Sequence, residues 1–170
     1  MHVEPSSEAQ ATIKRVLDSL PAEQATVNQT AYSPVAERPI FVSIETKTIQ
    51  SSEEAAKAQL GMWADAGNRR AECLMEITKP RGLRQGEHPT RTQLAAPLLL
   101  ISGHNWDLYW AIDRGDKIDA LRYRQHLGTT KTIGDIYMLL ASVRSLAAWG
   151  VDVFYPWWEQ DVLHVAAASM

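Results

Sequence analysis

The feature that most constrains this chain is a short alternating run, Ile40 to Lys47, held between a proline and a helix signal. In an extended segment successive side chains point to opposite faces. Ile40, Val42 and Ile44 are therefore predicted on one face, and Phe41, Ser43, Glu45 and Lys47 on the other. Pro39 stands at the leading edge of the strand, where a missing N–H is tolerated. Ser51-x-x-Glu54 then matches a capping box, and Ala55, Ala56, Gln59, Leu60 and Trp63 follow at helical spacing.

The rest of the chain supplies elements around this pair. Ser7 with Gln10 matches a capping box, and Ala9, Ile13, Val16, Leu17 and Leu20 recur as one helical face before Pro21 ends it. Residues 21–39 read as a connector. Gly67 weakens the second helix, whose pattern resumes to Ile77, and Pro80 closes it. Residues 79–96 carry Pro, Gly, Arg and Gln without periodicity and read as a surface loop. Pro97 to Gly103 is a short apolar run bounded by breakers, the pattern of a buried strand. Trp106 to Ile112 and Ile118 to Leu127 read as two more strands, with Arg114-Gly115-Asp116 as the turn. Thr132 to Trp149 is a helix with apolar positions Ile133, Ile136, Tyr137, Leu140, Val143, Leu146 and Ala147, and Gly150 is its expected C-cap. Val151 to Trp158 is aromatic, and the tail to Met170 is read as a short helix. The order helix, strand, helix, three strands, helix predicts an α/β fold, a mixed central sheet flanked by helices.

A length of 170 residues fits one domain spanning 1–170, with 1–27 as N-terminal helix and connector and 159–170 as a tail. Cys73 is the only cysteine, which excludes an intrachain disulfide and a thiolate metal cluster. It is expected to be a small buried hydrophobe in a reducing, cytoplasmic setting. The first residues lack the basic-then-apolar pattern of a secretory signal, and no uninterrupted apolar run approaches the ~20 residues of a membrane span. The net charge of −3 and dispersed basic residues argue against nucleic acid as the main partner.

The chemistry-bearing feature is Glu45 with Lys47, two residues apart on one strand face beside Ser43. A neighbouring carboxylate and ammonium can work as an acid/base pair on an organic substrate, or the carboxylate can hold a metal while the lysine orients water. An E-x-K spacing also arises often by chance, and is then a surface ion pair worth at most ~1 kcal/mol. His104 follows a buried-type strand, where a histidine bonded to backbone is the commoner case. Asp107 and Tyr109 alternate with Leu108 and are expected to line the same cleft as Glu45. His2, His88, His126 and His164 have no partner at metal-ligand spacing and are read as structural or surface groups. Six tryptophans are many for this length: Trp149, Trp157 and Trp158 are expected to pack the end of the last helix. Trp63, Trp106 and Trp110 read singly as core, and together as walls for a flat ligand or as a dimer surface. No Gly-rich phosphate loop and no Gly-x-Ser-x-Gly elbow occurs.

Four segments in order carry a family resemblance. They are P-I-F-V-S-I-E-T-K ending at Lys47, A-x-L-G-M-W from Ala58 to Trp63, G-H-N-W from Gly103 to Trp106, and Y-P-W-W from Tyr155 to Trp158. Over roughly residues 28–158 the chain resembles the fungal PD-(D/E)XK nuclease-like domain proteins. The resemblance implies a PD-(D/E)XK nuclease-like core, Glu45 and Lys47 as its E-x-K, Gln59 as the helix glutamine facing the site, and His104 and Trp106 as the family's histidine and tryptophan. Two departures stand out. The family's nucleases use a second carboxylate on a preceding strand to hold Mg²⁺, and none is evident upstream here; Asn105 also stands where the family has aspartate.

Three readings follow. The first is a repurposed nuclease-fold enzyme that needs no cofactor and performs acid/base chemistry on a small organic substrate. Cyclisation, lactonisation or dehydration of a polyketide-like fungal secondary metabolite would fit, with Glu45 and Lys47 catalytic and Ser43, Gln59, His104, Asp107, Tyr109, Trp63 and Trp106 positioning substrate. The second is a Mg²⁺-dependent nuclease with Glu45 as metal ligand. The third is a non-catalytic homodimeric interaction domain joined through its aromatic end.

Overall fold

Four strands form one mixed sheet in chain order, β1 (Ser43–Lys47), β2 (Ala96–Ser102), β3 (Asn105–Asp113) and β4 (Ile118–Thr129). The computed structural model describes residues 1–48, 52–77, 94–114 and 117–164, apart from the side chains at 77, 120–124 and 164. The expected loop over 79–96 thus lies mostly outside the described residues, as do Gly115 and Asp116 of the expected turn and the last six residues. Helix α1 (Ser7–Asp18) precedes the sheet, α2 (Glu53–Ile77) links β1 to β2, and α3 (Ile133–Trp149) follows β4. β1 and β2 are parallel; β2–β3 and β3–β4 are antiparallel. The predicted order of elements is the observed one, and the α/β class with a mixed sheet and flanking helices holds.

The helix starts are set by serine and threonine side chains. Ser6, one residue before the predicted cap, accepts the N–H of Ala9, while Gln10 turns back to donate to the carbonyl of Pro5. Ser52 accepts from Ala55 at the start of α2, so the cap again lies one residue from expectation. Gly67 does not interrupt α2, which runs unbroken to Ile77. The connector is held by polar groups. Buried Asn28 donates to the carbonyls of Val35 and Arg38 and accepts from the N–H of Ile40. Arg70 of α2 donates to the carbonyls of Gln24 and Thr26, and its burial lowers the guanidinium pKa.

The regular alternation predicted from Ile40 begins only at Ser43. Residues 1–3 run beside 39–42, with His2 and Ile40 bridged in antiparallel fashion. There Phe41 and Val42 are both buried in one cluster with Leu99, Leu108 and Leu146. From Ser43 onward the strand keeps strict period two, with Ser43, Glu45 and Lys47 more sheltered than Ile44 and Thr46.

Helix α3 buries Leu146 of the expected stripe but departs from expectation toward its N-terminal end. Leu139 and Leu146 point inward, while Ile133 (76% exposed), Ile136, Tyr137 (69% exposed) and Leu140 face out. The cause is local. Gly128 of β4 has φ +155° and no side chain, and Leu139 seats over it: a Cβ there would lie 3.2 Å from that of Leu139. Ser142 fixes the same rotation by donating to the carbonyl of Leu127. The helix is apolar around most of its circumference, and the sheet can cover only one stripe. Cys73 is likewise exposed rather than buried, beside inward-facing Leu74.

Gly150 follows the last α-helical residue, Trp149, as expected of a C-cap, but differs in conformation. It is not a left-handed C-cap but right-handed helix, at φ −61° and ψ −37°. The helical path continues to His164, widened to π turns over Gly150–Phe154 and Trp158–His164 around one α turn at Tyr155–Trp157. Pro156 has no N–H to give, and in a tight α turn its ring would crowd the carbonyl four residues back; a widened turn relieves this. By length and composition the run Ile133–Leu163 would suffice to cross a membrane, although Asp135 and Arg144 break it up. The aromatic end proposed as a dimer surface is largely used within the chain. Phe41, Trp149 and Phe154 form one set of tilted ring contacts, Trp110 meets Trp149 edge-on at 5.5 Å, and Trp158 is buried.

The reason for glycine at 150 is this cluster. A Cβ there would lie 2.5 Å from the Phe41 ring, which Trp149 and Phe154 hold in place. Gly150→Ala is expected to destabilise the fold by ~1–3 kcal/mol through overpacking, despite alanine's better helix propensity. Combining it with Phe41→Leu is expected to recover part of the loss. Thermal melts of the two variants check this, and an unchanged or raised Tm for Gly150→Ala would contradict the packing described.

Candidate functional site

The strand register sorts the sheet into two faces. Row by row, Ser43, Leu98 and Tyr109 share one face; so do Glu45, Leu100, Asp107 and His126; so do Lys47, Ser102 and Asn105. Leu98, Leu100, Tyr109 and Ala111 on that face pack against Ala56, Leu60 and Ala64 of α2. The candidate site therefore lies on the α2 side. Because β1 and β2 are parallel, α2 must run back antiparallel to β1.

Glu45 and Lys47 emerge together, as their spacing predicts. The Lys47 Nζ is 2.9 Å from the Glu45 Oε1, and the two side chains are 25% and 15% exposed. The pair is thus sheltered rather than displayed to bulk water. The end of the strand is fixed by Gly103, whose N–H donates to the Lys47 carbonyl at 3.3 Å and whose φ of +57° suits glycine.

The other predicted residues fall in several places. Ser43 and Trp63 line a hollow of about 80 Å³ between α2, the lower ends of β1 and β2, and the terminal helix; Glu45 and Lys47 lie beside it, outside its lining. Gln59 is one helical turn before Trp63, toward the Glu45 end of β1. Asp107 is 4% exposed and shares a row with Glu45, with Leu100 between them. Tyr109 is on the expected face but is core, its hydroxyl donating to the Glu53 Oε1 at 3.1 Å. His104 sits exposed in the β2–β3 turn, its Nδ1 2.8 Å from the Thr130 hydroxyl, while its carbonyl accepts from the Thr130 N–H. Trp106 is corrected: its row is Thr46, Ile101 and Gly128, on the α3 side of the sheet, so it does not share the face of Glu45.

Two groups were not anticipated. The His126 Nδ1 lies 3.2 Å from the Asp107 carboxylate. Continuing the register of Asp113 with Ile118 would pair Asp107 with residue 124, two residues earlier in β4; the register shift between Tyr109 and Ala111 moves His126 into place. Glu53 and Lys57, an i,i+4 ion pair at 2.8 Å on the first turns of α2, close over Tyr109, with Lys57 5.6 Å above its ring. Only the E-x-x-x-K spacing could have signalled this second pair.

The family model for the PD-(D/E)XK nuclease superfamily matches residues 1–155. The chain belongs to the PD-(D/E)XK nuclease superfamily. No curated protein and no solved structure matches it. Metal-dependent PD-(D/E)XK chemistry needs a second acidic ligand close to Glu45. The paired residue on β2 is Leu100, and the other edge of β1 has no strand partner beyond residue 42 among the described residues. Asp107 is two strands away, which at ~4.8 Å per strand is about 10 Å between backbones. Among the described residues no three His, Cys, Asp or Glu side chains converge as a metal cluster. The donor set described does not fit Mg²⁺.

Breaking a sheltered ion pair leaves one charge unpaired, whereas replacing both partners by apolar groups removes that penalty. Lys47→Met is therefore expected to destabilise the protein by about 1–2 kcal/mol, with the Glu45→Leu/Lys47→Met double variant closer to wild type than Lys47→Met. Urea unfolding of the three proteins measures this. Additive losses would mean that the two side chains do not interact in solution.

Proposed function

We propose that this superfamily member is an acid/base enzyme acting on a small organic substrate, with Glu45 and Lys47 as the reacting pair. The observation that carries the reading is the sheltered 2.9 Å contact between them, next to an apolar hollow and with apolar Leu100 as the β2 residue paired with Glu45. A carboxylate in this position takes a proton from carbon or oxygen. The adjacent ammonium stabilises the negative charge that develops on a neighbouring carbonyl oxygen and can return a proton to a leaving oxygen. Cyclisation, lactonisation and dehydration of an enolisable, polyketide-like compound all need this pairing of events. Ser43, two residues before Glu45 on the same strand face, and Gln59, on α2 over that face, would supply polar contacts for orientation. The net charge of −3 further favours a small molecule over a polyphosphate as partner.

Glu45→Gln and Lys47→Met are each expected to cut product formation in the native pathway by 10²–10⁴-fold while the circular dichroism spectrum is kept. Incubating the wild type with Mg²⁺ or Mn²⁺ and plasmid or single-stranded DNA is expected to leave the DNA intact. Cleavage that disappears in Glu45→Gln would replace this proposal with the nuclease reading, and unchanged product formation in both variants would remove the pair from the chemistry.

A further inference from the structure

We infer that the hollow beside Ser43 is a recognition site for one planar, apolar ring, aromatic or conjugated, whose polar arm runs along β1 to Glu45. The arm rests on the acid/base reading above; the ring site does not. The walls are Phe41, Trp63, Phe154, Trp157 and Trp158, and the lining has few polar residues, chiefly Ser43, Gln29 and Asn68, whose Nδ2 donates to the Asp113 Oδ2 at 3.4 Å. Flat walls with a few polar groups at the edge suit a flat ligand that needs orienting. The amide of Asn28 also lines the hollow but is spent on Val35, Arg38 and Ile40, so it holds the wall in place and is not a ligand contact.

Size and position narrow the ligand. At about 80 Å³ the hollow is roughly half the ~150 Å³ cavity known to accept benzene. A ring therefore enters edge-first and in part, and Trp63, 38% exposed, is placed to cover what remains outside. Ser43 and Glu45 are two residues apart on one strand face, which separates them by ~6.6 Å. A substrate seated here places its reacting atoms about four or five bonds from the ring edge. Trp63 and Ser43 thus act as positioning residues, and the depth of the hollow sets which ring is accepted.

The test uses indole and coumarin as planar probes and cyclohexanol as a non-planar control, followed by the indole N–H resonances of the tryptophans. The planar probes are expected to shift Trp63 and Trp157 in a saturable way, and cyclohexanol to leave them in place. Ala71→Leu, which narrows the hollow from α2, is expected to weaken planar binding at least 10-fold, and Trp63→Ala at least 5-fold. Trp63→Ala alters a rim residue, so it decides the matter if Ala71→Leu fails to fold. Glu45→Gln is expected to change probe affinity less than 2-fold. Saturable binding in a Glu45→Gln protein that retains full pathway activity would sink the acid/base reading and leave the ring site standing. Equal binding of cyclohexanol, no binding of either planar probe, or affinity unmoved by either variant would overturn the ring site itself.

Discussion

The parallel pairing of β1 with β2 is the constraint on which the site depends. A parallel neighbour obliges the chain to cross over through α2, and α2 then lies on the face that carries Ser43, Glu45 and Lys47. An antiparallel hairpin at this point would have left the same three side chains without a roof. The pairing also orders the contents of that face. Strand period places Glu45 and Lys47 together, and the antiparallel course of α2 sets Gln59 toward Glu45 and Trp63 toward Ser43. Polar chemistry thus gathers toward one end of β1 and aromatic walls toward the other.

The ion pair is a poor explanation of stability. Its two charges lose much of their hydration, and the attraction at 2.9 Å roughly offsets that loss rather than exceeding it. Stability comes instead from the apolar clusters on either side of the sheet, with Leu98, Leu99 and Leu100 alternately serving both. A costly arrangement held in place by a well-packed scaffold is the pattern expected of a functional group. The same contrast separates Tyr109 from Glu45. Tyr109 shares their face, but its hydroxyl is committed to Glu53 and its ring to the core, so it supports the site without entering it.

Much of this was legible in the residues, because local rules governed it. Period two in Ser43–Lys47, serine and threonine caps, and breaker-bounded apolar runs placed every major element in order. What could not be read depended on contacts between distant segments. Gly150 has the look of a helix terminator until Phe41, more than a hundred residues earlier, is seen to need its missing side chain. The buried stripe of α3 is chosen by Gly128 and Leu127 of β4, so an all-round apolar helix offered no way to tell Leu139 from Tyr137. Irregular register in β4 hid the pairing of Asp107 with His126, and the same strand ladder put Trp106 on the far face. The first two misses are cases of tertiary packing deciding between options that local pattern left equal, whereas strand period two alone separates Trp106 from Asp107.

Family membership and chemistry separate at β1. The superfamily match covers the frame of β1, α2 and β2, and Glu45 and Lys47 lie together on β1 within it. Metal chemistry asks for a second acid at bonding distance from the first, and the described residues pair Glu45 with Leu100 and Lys47 instead. With Leu100 on one side of Glu45 and the other edge of the strand unpaired beyond residue 42 among the described residues, Glu45 has Lys47 as a charged partner at 2.9 Å. An ammonium hydrogen-bonded to a carboxylate at 2.9 Å occupies one of that carboxylate's lone pairs. A proton-transfer couple needs only this contact, whereas a Mg²⁺ site needs a further acid beside Glu45, and the two readings of the protein divide on that one additional ligand.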